Sequence, residues 1–238
     1  MIQIRPEDSI YHAKGKIENG TFSGRWHFSF GEYYDEDNMN FGALRVFNDD
    51  TLSPGATWPL HPHKEIEVVT YCAGGEFKHA DEHGTGGILK KGWVQHTTVG
   101  SGMWHSEINN RSDQPMRFIQ MWIAPERKGL SPSVEQKQVD IDERTDKLLP
   151  IVSRDHPEAL PIRQDAAVYS GFLRSGKEVT HRIRQGRCVY FYVVEGGPAI
   201  LNGRELKELW AAKIIDEPEI RIKAISDVEL LLVETVMI

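Results

Sequence analysis

Short apolar runs recur along the chain and are separated by Gly, Asn and Asp. The runs are rich in β-branched and aromatic residues and lack the spacing of an amphipathic helix. The clearest are RWHFSF (25–30), GALRVF (42–47), EIEVVTYC (65–72), RFIQMWI (117–123), VYFYVV (189–194), PAILNG (198–203) and VELLLVETV (228–236). Many short strands with turn signals between them predict an all-β fold of the sandwich or barrel type.

The segment 125–162 differs in composition from the rest of the chain, because it is charged and holds five prolines. It predicts a connection between two β-domains, with one short helix. TYCAGGEF (70–77) and FYVVEGGPA (191–199) both run from a strand into a double glycine, which suggests duplication. We therefore expect domains at 1–125 and 161–238, joined by 126–160. A tight hairpin is predicted at Asn202-Gly203.

Composition narrows the class of protein further. The 238 residues are 39% hydrophobic and 26% charged, with a net charge of −7. That acidic balance disfavours nucleic acid and anionic membranes as direct partners. Cys72 and Cys188 lack the spacing of a thiolate metal site, and the chain shows no signal peptide and no apolar stretch long enough to span a membrane. These features predict a cytoplasmic protein in a reducing compartment.

Two dyads carry the candidate chemistry. His61 and His63 share one face if the backbone is extended, and Pro62 between them favours that conformation. His105 and Glu107 repeat the same spacing. On neighbouring strands the dyads would bring three imidazoles and one carboxylate together, a donor set that suits Fe(II), Mn, Ni, Co or Cu. Four protein ligands on an octahedral ion leave two positions open, as in a catalytic site.

Other residues in the same region leave the ligand set open. His96 competes with His105 for a ligand place. Glu67 shares the face of His61 and His63 by parity, so it is a ligand, an outer-shell partner of a ligand, or merely a neighbour.

Four further histidines are interpreted without a metal. His79 and His83 lie in HADEHG (79–84), which indicates a polar turn with solvated or hydrogen-bonded side chains. His27 and His181 stand alone and indicate ordinary strand residues.

The spacing of these residues resembles a known family. Gly55, His61, His63, Glu67 and Gly74 match the first cupin motif. The remainder resembles the pirin branch of the cupins, whose signature corresponds here to His61-Pro62-His63, Glu67 to Tyr71, His79 to Gly84, Gly92 to Gln95 and Gly100 to Glu107. The stretch 26–50 is similar to bacterial pirin-like proteins with quercetinase activity. The resemblance covers nearly the whole chain and is densest from 25 to 136.

The resemblance implies a bicupin, with two β-barrel domains of the jelly-roll type in one chain. It implies one metal, held in the N-terminal domain by His61, His63, His105 and Glu107. The C-terminal half offers only His181, so the second barrel is expected to be metal-free. His96 departs from the family pattern, in which a larger apolar residue is usual.

The resemblance also implies an activity. Pirin-like proteins of this kind are similar to quercetin 2,3-dioxygenases, which cleave a flavonol heterocycle with O2 and release CO. We expect a flavonol-like substrate, Fe²⁺ as the preferred metal (with Mn, Ni, Co, Cu or Zn as alternatives), and Glu107 as the base. Aromatic and apolar side chains near the dyads are candidates for the walls of a flat substrate slot: Trp58, Trp93, Met103 and Trp104.

A second hypothesis belongs to another class of function. Some pirins resemble regulators that bind partner proteins and use the oxidation state of iron as a switch. Such a protein would hold the same metal without turnover, and its partner would dock beside the metal.

Overall fold

The computed structural model describes residues 1–82 and 86–237, so the expectation for His83 lies outside the described residues. The chain is nearly all-β, which confirms the predicted fold class. One short α-helix, α1 (Ile141–Arg144), lies in the predicted connection, and single 3-10 turns occur at Glu7–Ser9 and Glu36–Asn38. In the part of the chain that is described, no helix is long and apolar enough to cross a membrane.

Twenty-one strands lie within the described residues. The first group is β1 (Ile2–Arg5), β2 (Tyr11–Ile17), β3 (Gly20–Trp26), β4 (Leu44–Leu52), β5 (Thr57–His63), β6 (Glu67–Gly74), β7 (Glu76–Asp81), β8 (Gly86–Lys90), β9 (Val94–Thr98), β10 (Met103–Asn109), β11 (Met116–Ile123) and β12 (Ser133–Lys137). The second group is β13 (Leu148–Ser153), β14 (Ala166–Leu173), β15 (Glu178–Arg182), β16 (Arg187–Gly196), β17 (Ala199–Leu201), β18 (Arg204–Leu206), β19 (Ala211–Ile215), β20 (Glu219–Ala224) and β21 (Val228–Val236).

Each half of the molecule is a pair of sheets. In the N-terminal half, a seven-stranded sheet in the order β12-β9-β6-β11-β4-β3-β2 packs against a four-stranded sheet in the order β5-β10-β7-β8. In the C-terminal half, a six-stranded sheet β1-β19-β16-β21-β14-β13 packs against β15-β20-β17-β18. The two large sheets correspond strand for strand, because β19, β16, β21, β14 and β13 take the places of β9, β6, β11, β4 and β3. This is expected for a duplicated jelly-roll unit.

Three apolar layers hold these sheets together. The two small cores lie inside the halves, and the largest core lies between the seven-stranded and six-stranded sheets. β11 shows how the sequence achieves this. Met116 and Phe118 point into the N-terminal half, whereas Ile119 and Met121 point to the other half. A strand buried on both faces therefore reads as a continuous apolar run rather than an alternating one.

The strand pairing differs from the predicted domain boundaries in two places. The register joins Ile2 to Ile214, so β1 belongs to the C-terminal sheet although it lies within 1–125. β12 pairs with β9, so part of the predicted connection completes the N-terminal sheet. In both cases an exposed sheet edge is covered by a strand that is distant in sequence, and local patterns do not encode that choice.

Two local predictions have clear outcomes. Asn202 and Gly203 have φ of 44° and 80°, and Leu201 pairs with Arg204 across them. The predicted hairpin is therefore confirmed. The strand predicted over 25–30 is wrong beyond Trp26, where β3 ends. Phe28 leaves the sheet and is fully buried in the core between the halves, so its apolar character reflects tertiary packing rather than a strand.

Candidate metal centre

Strands β5 and β10 bring the two dyads together. They pair antiparallel, with His105 opposite His61 and Met103 opposite His63. The register shifts between His105 and Glu107, as at a β-bulge. Such bulges re-aim side chains next to functional sites.

The three imidazoles converge on one point, as the spacing predicts. One ring nitrogen from each of His61, His63 and His105 lies within 4.8 Å of the others. The Nε2 atoms of His105 and His61 are 3.1 Å apart. The ring centroids are 4.6 to 4.8 Å from one another, so the rings surround a common centre instead of stacking.

Hydrogen bonds on the far side of two rings fix their orientation. Nδ1 of His61 donates to the carbonyl of Pro59 at 2.8 Å, which leaves Nε2 with its lone pair. Nδ1 of His105 lies 2.9 Å from Nε2 of His79. Outer partners of this kind orient metal-binding histidines and select the nitrogen that faces the metal.

Burial lowers the pKa of two of the imidazoles, those of His63 and His105. Desolvation, with a smaller contribution from His61, lowers the pKa of His63 to about 4. Desolvation and the neighbouring histidines lower the pKa of His105 to about 2. Neutral imidazoles present lone pairs without competition from protons, so this donor set fits a divalent transition metal.

Glu107 lies beside the histidines but outside the group of nitrogen atoms within 4.8 Å. Its carboxyl is buried and accepts a hydrogen bond from Nε2 of Gln120. Gln120 in turn accepts from Nε1 of Trp122 at 2.8 Å. Burial raises the pKa of Glu107. The role of Glu107 as fourth ligand stays a prediction.

Glu67 and His96 lie away from this centre, so the expectation that His96 competes for a ligand place is wrong. Glu67 accepts the backbone N–H groups of Arg163 and Gln164 at 2.8 and 2.9 Å. Nε2 of His96 is 3.4 Å from the Glu67 carboxylate. Parity failed for Glu67 because Glu65, with φ of 53°, turns the chain between β5 and β6, which belong to different sheets.

The other isolated histidines have structural partners. His27 is fully buried, and its Nδ1 lies 2.7 Å from the hydroxyl of Tyr190 in the other half. His181 in β15 contacts Glu234 at 2.7 Å through Nε2. Both are away from the three converging imidazoles.

His79 is part of the centre rather than of a polar turn. It lies on β7 opposite Glu107, is 2% exposed, and contacts His105. The predicted hydrogen bonding is therefore confirmed, and the predicted turn is wrong at this position. In this strand, buried side chains such as His79 alternate with more exposed polar ones. The polar composition of HADEHG therefore resembled that of a turn.

Replacing His79 with phenylalanine is expected to weaken metal binding by about 10- to 100-fold, because His105 loses the group that orients it. Ni(II) affinity, measured by competition with a chromophoric chelator, tests this. His156→Phe is a matched control at a partly exposed histidine outside the centre. Equal affinities in wild type and His79→Phe would contradict the positioning role.

A cavity of about 460 Å³ opens beside the histidines, a size typical of small-molecule sites. Its lining combines aromatic side chains with polar ones. It is lined by Lys16, Ile17, Glu18, Trp26, Phe30, Asn48, Asp50, Trp58, Pro59, His61, His63, Glu107, Gln120 and Trp122.

One of the four predicted slot residues, Trp58, lines this cavity. Trp93 packs against the N-terminal core, Met103 is buried in a separate apolar cluster, and Trp104 is 47% exposed. Proximity to the dyads in sequence was a poor guide. Trp104, for example, alternates with His105 on β10 and therefore points to the opposite side of the strand. The other aromatic lining residues are Trp26 of β3, Phe30 after it, and Trp122 of β11, which tertiary pairing brings to the site.

Fold and site together define a bicupin with a histidine metal centre in its N-terminal half. A family model described as Pirin matches residues 10–123, and one described as Quercetinase C-terminal cupin domain matches 150–235. The chain is 38% identical to a pirin-like protein of Caulobacter vibrioides over 98% of its own length and 99% of that protein. The chain belongs to the pirin family.

Other relatives carry more specific names. A quercetin 2,3-dioxygenase of Escherichia coli K12 is 36% identical, with 98% of this chain and 97% of that protein covered. The crystal structure of YhhW from Escherichia coli matches with a TM-score of 0.92 at 33% identity, covering 100% of this chain and 99% of that one. A structure of YhhW in complex with nickel(II) matches with a TM-score of 0.91 at 33% identity, covering 100% of both chains.

Proposed function

We propose that this protein is a metal-dependent quercetin 2,3-dioxygenase that opens the heterocycle of a flavonol with O2 and releases CO. One flavonol and one O2 would yield one CO and one ester of a hydroxybenzoate. The observation that carries the proposal is the convergence of three imidazole nitrogens at the edge of an aromatic cavity. The similarity to a named quercetin 2,3-dioxygenase supports it.

The metal would be held by His61, His63 and His105, with Glu107 as fourth ligand. A bound divalent ion supplies Lewis acidity that makes a flavonol 3-hydroxyl more acidic, and an open position for a second small molecule. Fe²⁺ is our first choice, because nitrogen and oxygen donors with open positions resemble non-haem iron sites. The nickel(II) complex of YhhW is consistent with a site that also accepts other divalent ions.

The protein's own residues would bind and orient the substrate. Trp26, Phe30, Trp58 and Trp122 offer flat apolar faces to aromatic rings. Trp122 lies against His63, with ring centroids 4.7 Å apart. A flavonol lying between these faces would direct its hydroxyl–carbonyl edge at the histidines and exclude water from them.

Glu107 would take the proton of the flavonol 3-hydroxyl. Its carboxyl lies at the cavity surface, and the amide of Gln120 holds it in place from one side. Trp122 fixes Gln120 in turn. The orientation of Glu107 would therefore depend on Trp122, a side chain of the cavity wall that would contact the substrate.

Oxygen uptake tests the proposal. Protein loaded with Fe(II) without air and then given quercetin and O2 is expected to consume oxygen in step with flavonol loss and CO release. Trp104→Ala is a control outside the cavity and should keep full activity. Bound iron without oxygen uptake or CO would contradict the dioxygenase and favour the redox-linked regulator.

A further inference from the structure

Two polar side chains on β4 line the cavity without belonging to the proposed metal site. Asn48 and Asp50 are two residues apart and therefore share one face of the strand. The register sets Asn48 opposite Trp26 on one side and opposite Gln120 on the other. Both side chains are at least 94% buried against the rest of the protein, yet both border the cavity.

Neighbouring residues are arranged to accommodate the Asp50 carboxyl. Nε1 of Trp26 donates a hydrogen bond to its Oδ1 at 3.1 Å. Gly24 lies opposite Asp50 on β3, and a Cβ there would come within 1.9 Å of the same oxygen. Glycine in the middle of a strand weakens the strand and marks a close approach. Gly24 thus leaves space for the Asp50 carboxyl, although a glycine at this position weakens β3.

Asn48 has an unused hydrogen-bonding group. Its amide is 2% exposed, and Oδ1 has no hydrogen-bond partner within the described residues. A buried polar atom without a partner costs stability, and such an atom calls for a functional explanation. Because Asn48 lines the cavity, a polar group on a bound ligand can contact its amide.

The charges around the cavity restrict that ligand. The buried lining carboxyl groups are Asp50 and Glu107, whereas Glu18 and the lining cation, Lys16, are both exposed. Buried carboxyls repel or fail to pair with a carboxylate or phosphate. Desolvation raises the pKa of Asp50 to about 8, so a neutral carboxyl can also donate. Uncharged hydroxyls, which both donate and accept, match these groups.

We propose that Asn48 and Asp50 form a subsite that recognises hydroxyls of the flavonol other than the one that meets the histidines. This inference rests on the proposed function, because it assumes that the compound bound in the cavity is the substrate of the dioxygenase reaction. The aromatic walls would hold the rings, and the two β4 side chains would decide which hydroxylated ring system fits. Both residues would set specificity rather than act on the reacting atoms.

Equilibrium binding tests the subsite without turnover. Ni(II)-loaded protein is titrated without O2 against quercetin, which carries five hydroxyls, and against 3-hydroxyflavone, which carries one, with tryptophan fluorescence as the signal. Asn48→Leu keeps the side-chain volume and removes the amide. It is expected to raise the Kd of quercetin about 10-fold, equivalent to one hydrogen bond, and to leave the Kd of 3-hydroxyflavone within about twofold.

Asp50 provides an independent pair of variants. Asp50→Ala is expected to weaken the binding of quercetin but not that of 3-hydroxyflavone. Asp50→Asn is expected to restore quercetin binding, because an amide keeps both an acceptor for Trp26 and a donor. Far-UV circular dichroism and thermal melting establish that each variant is folded. Equal weakening of both flavonols, or no weakening of quercetin, would overturn the subsite. If the protein binds quercetin selectively but does not turn it over, the result would contradict the dioxygenase and would still support the subsite.

Discussion

His61→Ala should abolish both metal binding and flavonol cleavage. His61 is central to the group, since its Nε2 faces that of His105 and its ring lies 4.7 Å from that of His63. Loss of an orienting partner alone costs 10- to 100-fold in metal affinity, so loss of a ligand should cost at least about 100-fold. Metal content after dialysis and oxygen uptake with quercetin measure the two effects.

A matched control separates this effect from damage to the fold. His61 lies at the cavity and is partly exposed, so its removal should leave the melting temperature of the metal-free protein nearly unchanged. His156→Ala removes a partly exposed histidine elsewhere and should keep metal and activity. Full oxygen uptake by His61→Ala would contradict the assignment of this centre to the reaction.

Asp49→Ala should be the most destabilising single change at the interface between the halves. The Asp49 carboxylate is buried and accepts from Nε and Nη2 of Arg117 at 2.8 and 2.6 Å, and from Tyr192 at 2.6 Å. Breaking a buried ion pair from one side costs about 3–5 kcal/mol. A chain of this size should lose about 10 °C in melting temperature.

Two comparisons make the Asp49 result interpretable. Tyr192→Phe removes one hydrogen bond and keeps the ring, so it should cost about 1–2 kcal/mol. Glu219→Ala breaks an exposed pair with Arg221 and should cost less than about 1 kcal/mol. Chemical denaturation of the four proteins measures these differences. A cost for Asp49→Ala as small as that for Glu219→Ala would show that the interface does not depend on this pair.

Local patterns were sufficient for several strands and for the shared face of His61 and His63. Val228–Val236 was predicted to the residue, because an apolar run buried on both faces has few alternatives. His61 and His63 were predicted to share a face because side chains two residues apart on a strand do so whatever the partner strand is. These two inferences depend on the backbone within a few residues. The convergence with His105 assumed that the two dyads lie on neighbouring strands, as the pairing of β5 with β10 provides.

Inferences that needed strand pairing were less successful. Glu67 was grouped with His63 because the sequence gives no sign of a turn at Glu65. His79 reaches His105 only through the pairing of β7 with β10. Asn48 and Asp50 escaped notice, although FNDDTL places polar residues within an apolar run. Polar residues at positions where a buried strand should be apolar are the signal that could have revealed them.

The pairing of β1 with β19 has a consequence for how the polypeptide is made. Ile2 leaves the ribosome early, yet its partner Ile214 is synthesised near the end of the chain. The C-terminal sheet therefore cannot close cotranslationally in the order of synthesis. Expressing residues 139–237 alone would leave β19 with a bare edge, which invites pairing between molecules. The first strand of the chain thus completes the sheet of the second half.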